Sequence, residues 1–348
     1  IIMFTYFVIK RILKGIIMFI ILMFMSSAIF NTVSEKTLKA QIEENINAEV
    51  RGLSNMRSED VDNFIKERRA YYYDIYWLNR SKGERIFLRA VNTITFQFGK
   101  SSIMMDSNGD RTVIKIIGEA LPRSIILFTT ASIIQIIIGL AIGLIKARKA
   151  GSPFDRTTSI FTMIVYGMPT WWLSMILIMA FVYKLNLFPS GGVHSVPTPE
   201  GIMYFLDMLW HMALPLLTLV LIGFWGISFV VRNIVLNILQ EDYIMAARAR
   251  GLTEKSILFG HTLRSAAPPI VTITLLGLLG SIAGSIIFEG IFSWPGLGNL
   301  YWISVQQNDI PVLMGNLAIT TALYQLGLVI LDISYGFLDP RIKVGGKL

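Results

Sequence analysis

The chain has 348 residues, of which 53% are hydrophobic and only 16% charged, and its mean hydropathy is +0.59. Soluble domains carry about a quarter charged residues, so an ordinary soluble enzyme and a disordered chain are both excluded. There is no Cys, which removes disulfides, thiol nucleophiles and thiolate metal sites, and the three His, at 194, 211 and 261, are too far apart in sequence to suggest a cluster. The net charge of +8 points to a membrane protein before a nucleic-acid binder.

The first apolar run, 12–30, is long enough to cross a bilayer, with Lys14 able to snorkel to the interface. The basic residues before it also suit a signal peptide. That reading is rejected, because Asn31-Thr32-Val33 follows instead of a small-x-small cleavage site. Residues 34–119 are too polar to span. Their 14 Lys+Arg and 13 Asp+Glu nearly cancel, as expected of a folded insertion. Ser34 with Glu35 predicts a helix start running to about Val50, ended by Gly52. Ser58, Glu59, Asp60 and Asp62 predict a second start, running into Tyr71-Tyr72-Tyr73 and Tyr76-Trp77. Asn108-Gly109 between Ile103-Met104-Met105 and 112–117 reads as a hairpin turn. Its acids resemble a calcium loop, but Arg111 and Ile117 stand where glycine and the closing acid belong. The insertion reads equally as a cap or docking surface for an external protein and as a small domain packed on the membrane face.

Four further runs, 124–145, 157–183, 208–231 and 265–288, and a last one at 310–331, carry no charge. The chain thus reads as an all-α integral membrane protein with six transmembrane helices. Its parts are 1–33 (N-terminal end and first span), 34–119 (insertion), 120–340 (core with five spans) and 341–348 (tail). The short connections rich in Lys and Arg are the N-terminus (Lys10, Arg11, Lys14), 146–156, 232–264 and the C-terminus (Arg341, Lys343, Lys347). The two short loops on the other side carry only Lys184, so both termini are expected in the cytoplasm and the insertion outside.

No phosphate-binding Gly-x-x-x-x-Gly-Lys-Ser/Thr loop exists, so ATP and Mg are not expected in this chain. Glu289 and Asp332 lie near span ends and read as interfacial carboxylates rather than a proton relay. Gly139-x-x-x-Gly143 and Gly280-x-x-x-Gly284 predict close helix packing. For Gln135, Thr170, Ser228 and Ser285, helix–helix hydrogen bonding is the favoured role over contact with a transported molecule.

The most informative stretch is 241–264. Acids come first and bases last before a glycine, which suits a short helix. Asp242 is expected to cap it, Arg248 and Arg250 to sit at its C-terminal end, and Gly251 to take the left-handed conformation. Thr253 then starts a second helix. Ala246, Ala247 and Ala249 keep one part of the helix small enough for another surface to approach. Local physics allows both a protein-docking element and an amphipathic connector on headgroups.

This loop resembles the "EAA" motif of ABC importer permeases. Ala246-Ala247 and Gly251 match, Met245 stands at the leading acid, and His261-Thr262-Leu263-Arg264 replaces the distal cluster. Both departures are the form found in the dipeptide/oligopeptide/nickel branch, together with Asp242-Tyr243 and Gly251-Leu252. Phe98-Gly99-Lys100-Ser101, Leu121-Pro122, 292–298, Asp309-Ile310-Pro311-Val312 and Leu338-Asp339-Pro340-Arg341 also match that branch. Departures are the missing turn after the first span and an insertion longer than usual.

The resemblance implies a type I importer permease fold. It implies four partners: a homologous second permease, two cytoplasmic ATPases holding ATP and Mg, and an external substrate-binding protein. It assigns ATPase coupling to Asp242, Tyr243, Ala246, Ala247, Arg248, Arg250, Gly251, Leu252, His261 and Arg264. Peptides are the expected cargo. Oligosaccharide import is the alternative, nickel import comes third, and a non-transporting scaffold is last.

Overall fold

A computed structural model describes residues 2–52 and 58–338. Its elements are α1 (Ile2–Arg51), α2 (Ser58–Ile75), α3 (Lys82–Ile94), α4 (Val113–Arg148), α5 (Pro153–Tyr166), α6 (Thr170–Leu177), α7 (Ile202–Leu239), α8 (Asp242–Ala249), α9 (Glu254–Ser256), α10 (Leu263–Gly280), α11 (Ile286–Ile291), α12 (Leu297–Gln306) and α13 (Ile310–Leu338). Wider π-type turns extend α6 over Ile178–Lys184 and join α9 to α10 over Ile257–Thr262. Five helices are long and apolar enough to cross a membrane, or six if the bent pair α5–α6 counts as one span. Arg341, Lys343, Lys347 and Asp339-Pro340-Arg341 lie outside the described residues.

The chain forms two compact units. One holds Gly118–Trp302 with the chain up to Arg11 and from Leu323 on. Inside it Gly139 and Gly143 of α4 lie against α7. A Cβ at Gly139 would stand 2.7 Å from Ile227 Cβ, and one at Gly143 would stand 2.8 Å from the Ser228 carbonyl. The expected small-x-x-x-small contact is therefore real at this pair. Gln135 adds a bond across the same helices, Nε2 donating to the Leu219 carbonyl at 2.8 Å. Arg11 pairs with Asp332.

The other unit is Ile12–Ile117 with Ile303–Ala322. Leu38, Ile42 and Ile46 recur every four residues on α1, one stripe of a helix. They pack with Ile310 and Met314 and with Tyr72, Tyr73, Tyr76 and Leu78. Ion pairs clamp the same face: Glu43 to Arg69 at 2.6 Å, Glu49 to Arg68 at 2.6 Å and Glu35 to Arg85 at 2.6 Å.

Several sequence expectations are corrected. No helix starts at Ser34, because position 34 lies inside α1, which runs 50 residues without a break. No Pro or Gly stands between Gly15 and Gly52, so nothing repays opening the hydrogen-bond ladder to insert a cap there. The helix α2, described from Ser58, ends at Ile75, where the chain turns through Trp77 at φ 57°. The expected hairpin has no second strand. Lys100 and Thr112 form only an isolated bridge, and Val113 already opens α4. The turn itself is tight: Asp106 Oδ1 accepts from the amides of Asn108 and Asp110 at 2.9 and 2.7 Å.

The run 157–183 is not one helix. Gly167 and Pro169 break it, and its two halves meet at 97°. The run 265–288 breaks after Gly280, and Gly284 turns at φ 68° before α11. Gly280-x-x-x-Gly284 is thus a helix end and a turn, not a packing stripe.

The helix–turn–helix loop as candidate functional site

Residues 241–264 fold as the expected helix–turn–helix. Glu241, not Asp242, occupies the N-cap position, with extended backbone, and Asp242 sits in the first turn of α8. An acid there still favours the positive end of the helix. The C-terminus closes as a Schellman motif. Gly251 stands at φ 81°, its amide donates to the Arg248 carbonyl at 2.9 Å, and the Leu252 amide donates to the Ala247 carbonyl at 3.3 Å. The Thr253 side chain then accepts from the Ser256 amide at 3.3 Å and starts α9.

The two faces of α8 differ. Ile244 and Ala247 are buried against Ile257, with Leu239 and Leu252 closing a small apolar cluster. Ala247 therefore faces the chain's own core, against the expectation that it offers room to an approaching surface. Ala246 and Ala249 are exposed, as are Arg250 and two large apolar side chains, Tyr243 and Met245. The Tyr243 hydroxyl reaches the Ser265 hydroxyl at 2.9 Å.

Arg248 acts as a staple. It pairs with Glu254 at 2.8 Å and donates to the Leu239 carbonyl at 3.3 Å, the last residue of α7. One guanidinium thus joins the end of α7, the end of α8 and the start of α9. His261 lies half-buried in the π-type turn and Arg264 is exposed at the start of α10. Neither side chain makes a hydrogen bond or ion pair among the described residues. The structure brings Asp242 to Leu252 together as one knuckle, with Tyr243 reaching α10.

A second clamp lies on α5 and α7. Arg232 grips Asp155 through two bonds of 2.6 Å, and the Gly151 amide donates to the same carboxylate at 3.0 Å. Sequence reading counted Arg232 only as a topological charge. The Ser152-Pro153-x-Asp155 helix start was the available signal, since Ser152 caps α5.

Three polar centres were missed or misread. Glu289, read as an interfacial carboxylate, is closed off by the chain's own atoms. It is fully buried, accepts from the Ser124 hydroxyl at 2.7 Å and from the Asn299 amide at 2.9 Å, and fills the space beside Gly284 and Gly296. Ser124 also accepts from the Leu297 amide at 2.7 Å, and the Trp294 indole donates to the Arg123 carbonyl at 3.1 Å. In the second unit Asp309 is fully buried and accepts from the Ser101 hydroxyl and from the Ser102 amide at 3.1 Å. His194 and His211 were read as isolated, yet both converge on Asp207, at 3.2 and 3.5 Å. Among the described residues no group of three or more His, Asp or Glu is arranged to hold a metal.

Long apolar helices and a short loop helix locked to two of them define a multi-pass membrane protein. The comparisons agree. Residues 135–344 match the family described as the inner membrane component of binding-protein-dependent transport systems, and the chain belongs to that family. It is 33% identical to the oligopeptide transport system permease protein AppB of Bacillus subtilis (strain 168) over 275 residues, 79% of this chain and 85% of that one. It is 35% identical to the dipeptide transport system permease protein DppB of Escherichia coli (strain K12), over 61% of this chain and 68% of that one. Among solved structures, an inward-facing MetNI methionine ABC transporter chain superposes with a TM-score of 0.51 at 19% identity. The match covers 68% of this chain and all of that one, a likeness of fold.

Proposed function

We propose that this chain is one membrane-spanning half of an ATP-driven importer of short peptides, with α8 as the helix through which separate ATPase subunits drive it. The carrying observation is the two-faced geometry of α8. Its inner face is locked to the rest of the loop by Ile244 and Ala247, while Tyr243, Met245, Ala246 and Arg250 are left exposed. A force applied to the outer face passes through Arg248 to the end of α7 and, by the Ile257 contact and the Tyr243–Ser265 bond, to α10. A rigid knuckle of this kind transmits displacement, whereas a loosely attached connector dissipates it. The peptide assignment draws on the relatives, named as oligopeptide and dipeptide permeases.

In this reading a homologous second permease completes the pathway. Two ATPases hold the nucleotide and magnesium, and an external protein delivers the cargo. Both termini and α8 are cytoplasmic. The charge asymmetry of the connections supports that orientation.

The chain's lack of Cys makes the test clean. Ala246→Cys is expected to react with a membrane-impermeant maleimide only in inside-out vesicles and to be shielded when the ATPases are bound. Labelling from outside intact cells, or ATP-independent uptake of radiolabelled dipeptide by the purified assembly, overturns the proposal.

A further inference from the structure

The unit that contains the insertion holds a cavity of about 440 Å³, partly open to its surroundings. That volume lies in the range of small-ligand sites, roughly 300–1,000 Å³. Tyr71, Tyr72 and Trp77 supply aromatic wall, and Asn92 and Gln97 line it as well. Arg68, Arg89, Lys100 and Arg111 all open onto it, and among the described residues no Asp or Glu does. Glu49 offsets Arg68, and Asp309 stands behind the lining Ser101 and Ser102, so the four cations outnumber the acids at or just behind the wall.

The four cations are not equally committed. Arg68 is held in a two-point ion pair by Glu49, at 2.6 and 3.0 Å. Arg111 spends one N–H on the Ser102 carbonyl at 3.4 Å. Arg89 donates to the Asn31 side-chain oxygen at 3.0 Å, and neither it nor Lys100 has an ion pair among the described residues. Burial, and then the neighbouring Arg85, pull the Arg89 pKa down to about 10. A guanidinium in that state is relieved by an anion, and a planar fork binds a carboxylate in two places.

We propose that this cavity is a binding site for short peptides with a free C-terminal carboxylate. Arg89 and Lys100 take the carboxylate, the Asn92 and Gln97 amides face the peptide groups, and the aromatic wall takes an apolar side chain. Among the described residues no acid lines the cavity to partner a terminal ammonium, so the site recognises one end of the peptide only. The choice of peptide over other carboxylates rests on the cargo reading above, but the test is one of binding and stands apart from transport.

The experiment is equilibrium binding of tritiated Phe-Phe to the full chain in phosphatidylcholine nanodiscs, which carry no net anionic lipid. Saturable binding is expected for Phe-Phe and equally for N-acetyl-Phe-Phe. The C-terminal amide is expected to bind at least about tenfold more weakly, the usual size of a lost charged hydrogen bond. Arg89→Gln and Lys100→Gln are each expected to weaken the free acid by a similar factor. Lys100 is exposed and its side chain has no partner among the described residues, so that variant leaves the fold intact. Equal binding of acid and amide, unchanged affinity in Lys100→Gln, or displacement by inorganic phosphate as strong as by peptide overturns the site. So does a complex that imports peptides while the chain shows no saturable binding, and there the cargo reading stands. The same holds if Lys100→Gln weakens only capture of the external binding protein. A chain that binds the acid but not the amide, in an assembly that moves no peptide, keeps the site and removes the cargo reading.

Discussion

Gly251 is the residue on which the loop's geometry turns. Its φ of 81° is left-handed, and a Cβ built there meets nothing within 4 Å. The cost of any side chain is therefore backbone strain alone, about 1–2 kcal/mol for Ala and more for a β-branched residue. Asn tolerates this region best. The expected order of retained coupling and of amide protection across α8 is Gly251, then Asn, Ala and Val, read by hydrogen exchange and by peptide-stimulated ATPase activity. Equal behaviour of Gly251→Asn and Gly251→Val would refute the left-handed cap. Ala247 and Ala246 make a matched pair beside it. Ala247→Leu overpacks the cluster of Ile244 and Ile257 and is expected to cost about 1–3 kcal/mol. Ala246→Leu, on the exposed face, is expected to leave stability within about 0.5 kcal/mol and to lower ATPase capture instead. A thermal melt and a pull-down on the two variants separate the effects. The sequence placed both alanines on one docking surface, because spacing along a single turn of helix does not say which side meets Ile257.

At the scale of elements, apolar runs of span length were plain in the sequence, and their interruptions were marked there only by prolines and glycines, Pro169 among them. The run 157–183 reads as continuous by hydropathy, although Gly167 and Pro169 held the signal for its bend. At Gly284 the chain turns at φ 68° and Glu289 fills the space a Cβ would need; the glycine was visible, but its role as a turn and not a packing contact was not. The amphipathic α3 went unseen among charges, yet Ser81 and Glu84 at its start form the cap pattern, with the Glu84 amide donating to the Ser81 hydroxyl at 3.3 Å. The glycine stripe on α4 was legible and gives a sharp test. In Gly143→Val the new Cβ stands 2.8 Å from Val231 Cβ and from the Ser228 carbonyl, so the helices must separate. A loss of about 1–3 kcal/mol is expected, seen as a lower melting temperature in detergent. Gly277→Val on α10, where nothing lies within 4 Å, is expected to melt no lower than the parent chain. Similar losses in both would show that the α4–α7 contact is not tight.

Across the whole molecule, the motifs that carried the family resemblance meet in pairs far apart in sequence. Ser101 of the Phe98–Ser101 stretch binds Asp309 of Asp309–Val312, and Ser124, just after Leu121-Pro122, binds Glu289 and the amide of Leu297. The sequence displayed each motif singly. Their convergence comes from the fold, which buries a carboxylate at each meeting point and surrounds it with N–H and O–H donors. The ion pairs of α1 with α2 and α3 are different, being partly exposed and open to titration. Hydrogen bonds from Lys39 and then Arg85 hold Glu35 below its ordinary 4.5, one from Arg69 does so for Glu43, and one from Arg68 does so for Glu49. An acid whose pKa is depressed on folding adds stability that is complete above its ordinary value and is lost as pH falls through the lowered one. The three pairs therefore hold α2 and α3 fully at pH 6 and release them together below about pH 4.5, while the buried apolar stripe Leu38, Ile42 and Ile46 stays in place. Hydrogen exchange on the full chain is expected to show α2 and α3 amides losing protection between pH 4.5 and pH 2, after correction for intrinsic exchange. Glu43→Gln and Glu49→Gln together should bring the α2 loss on already at pH 6, while α3, still held by Glu35 and Arg85, keeps its protection there. Protection unchanged down to pH 2 in the parent chain would mean that the tyrosine contacts alone hold these helices and that the charges contribute nothing.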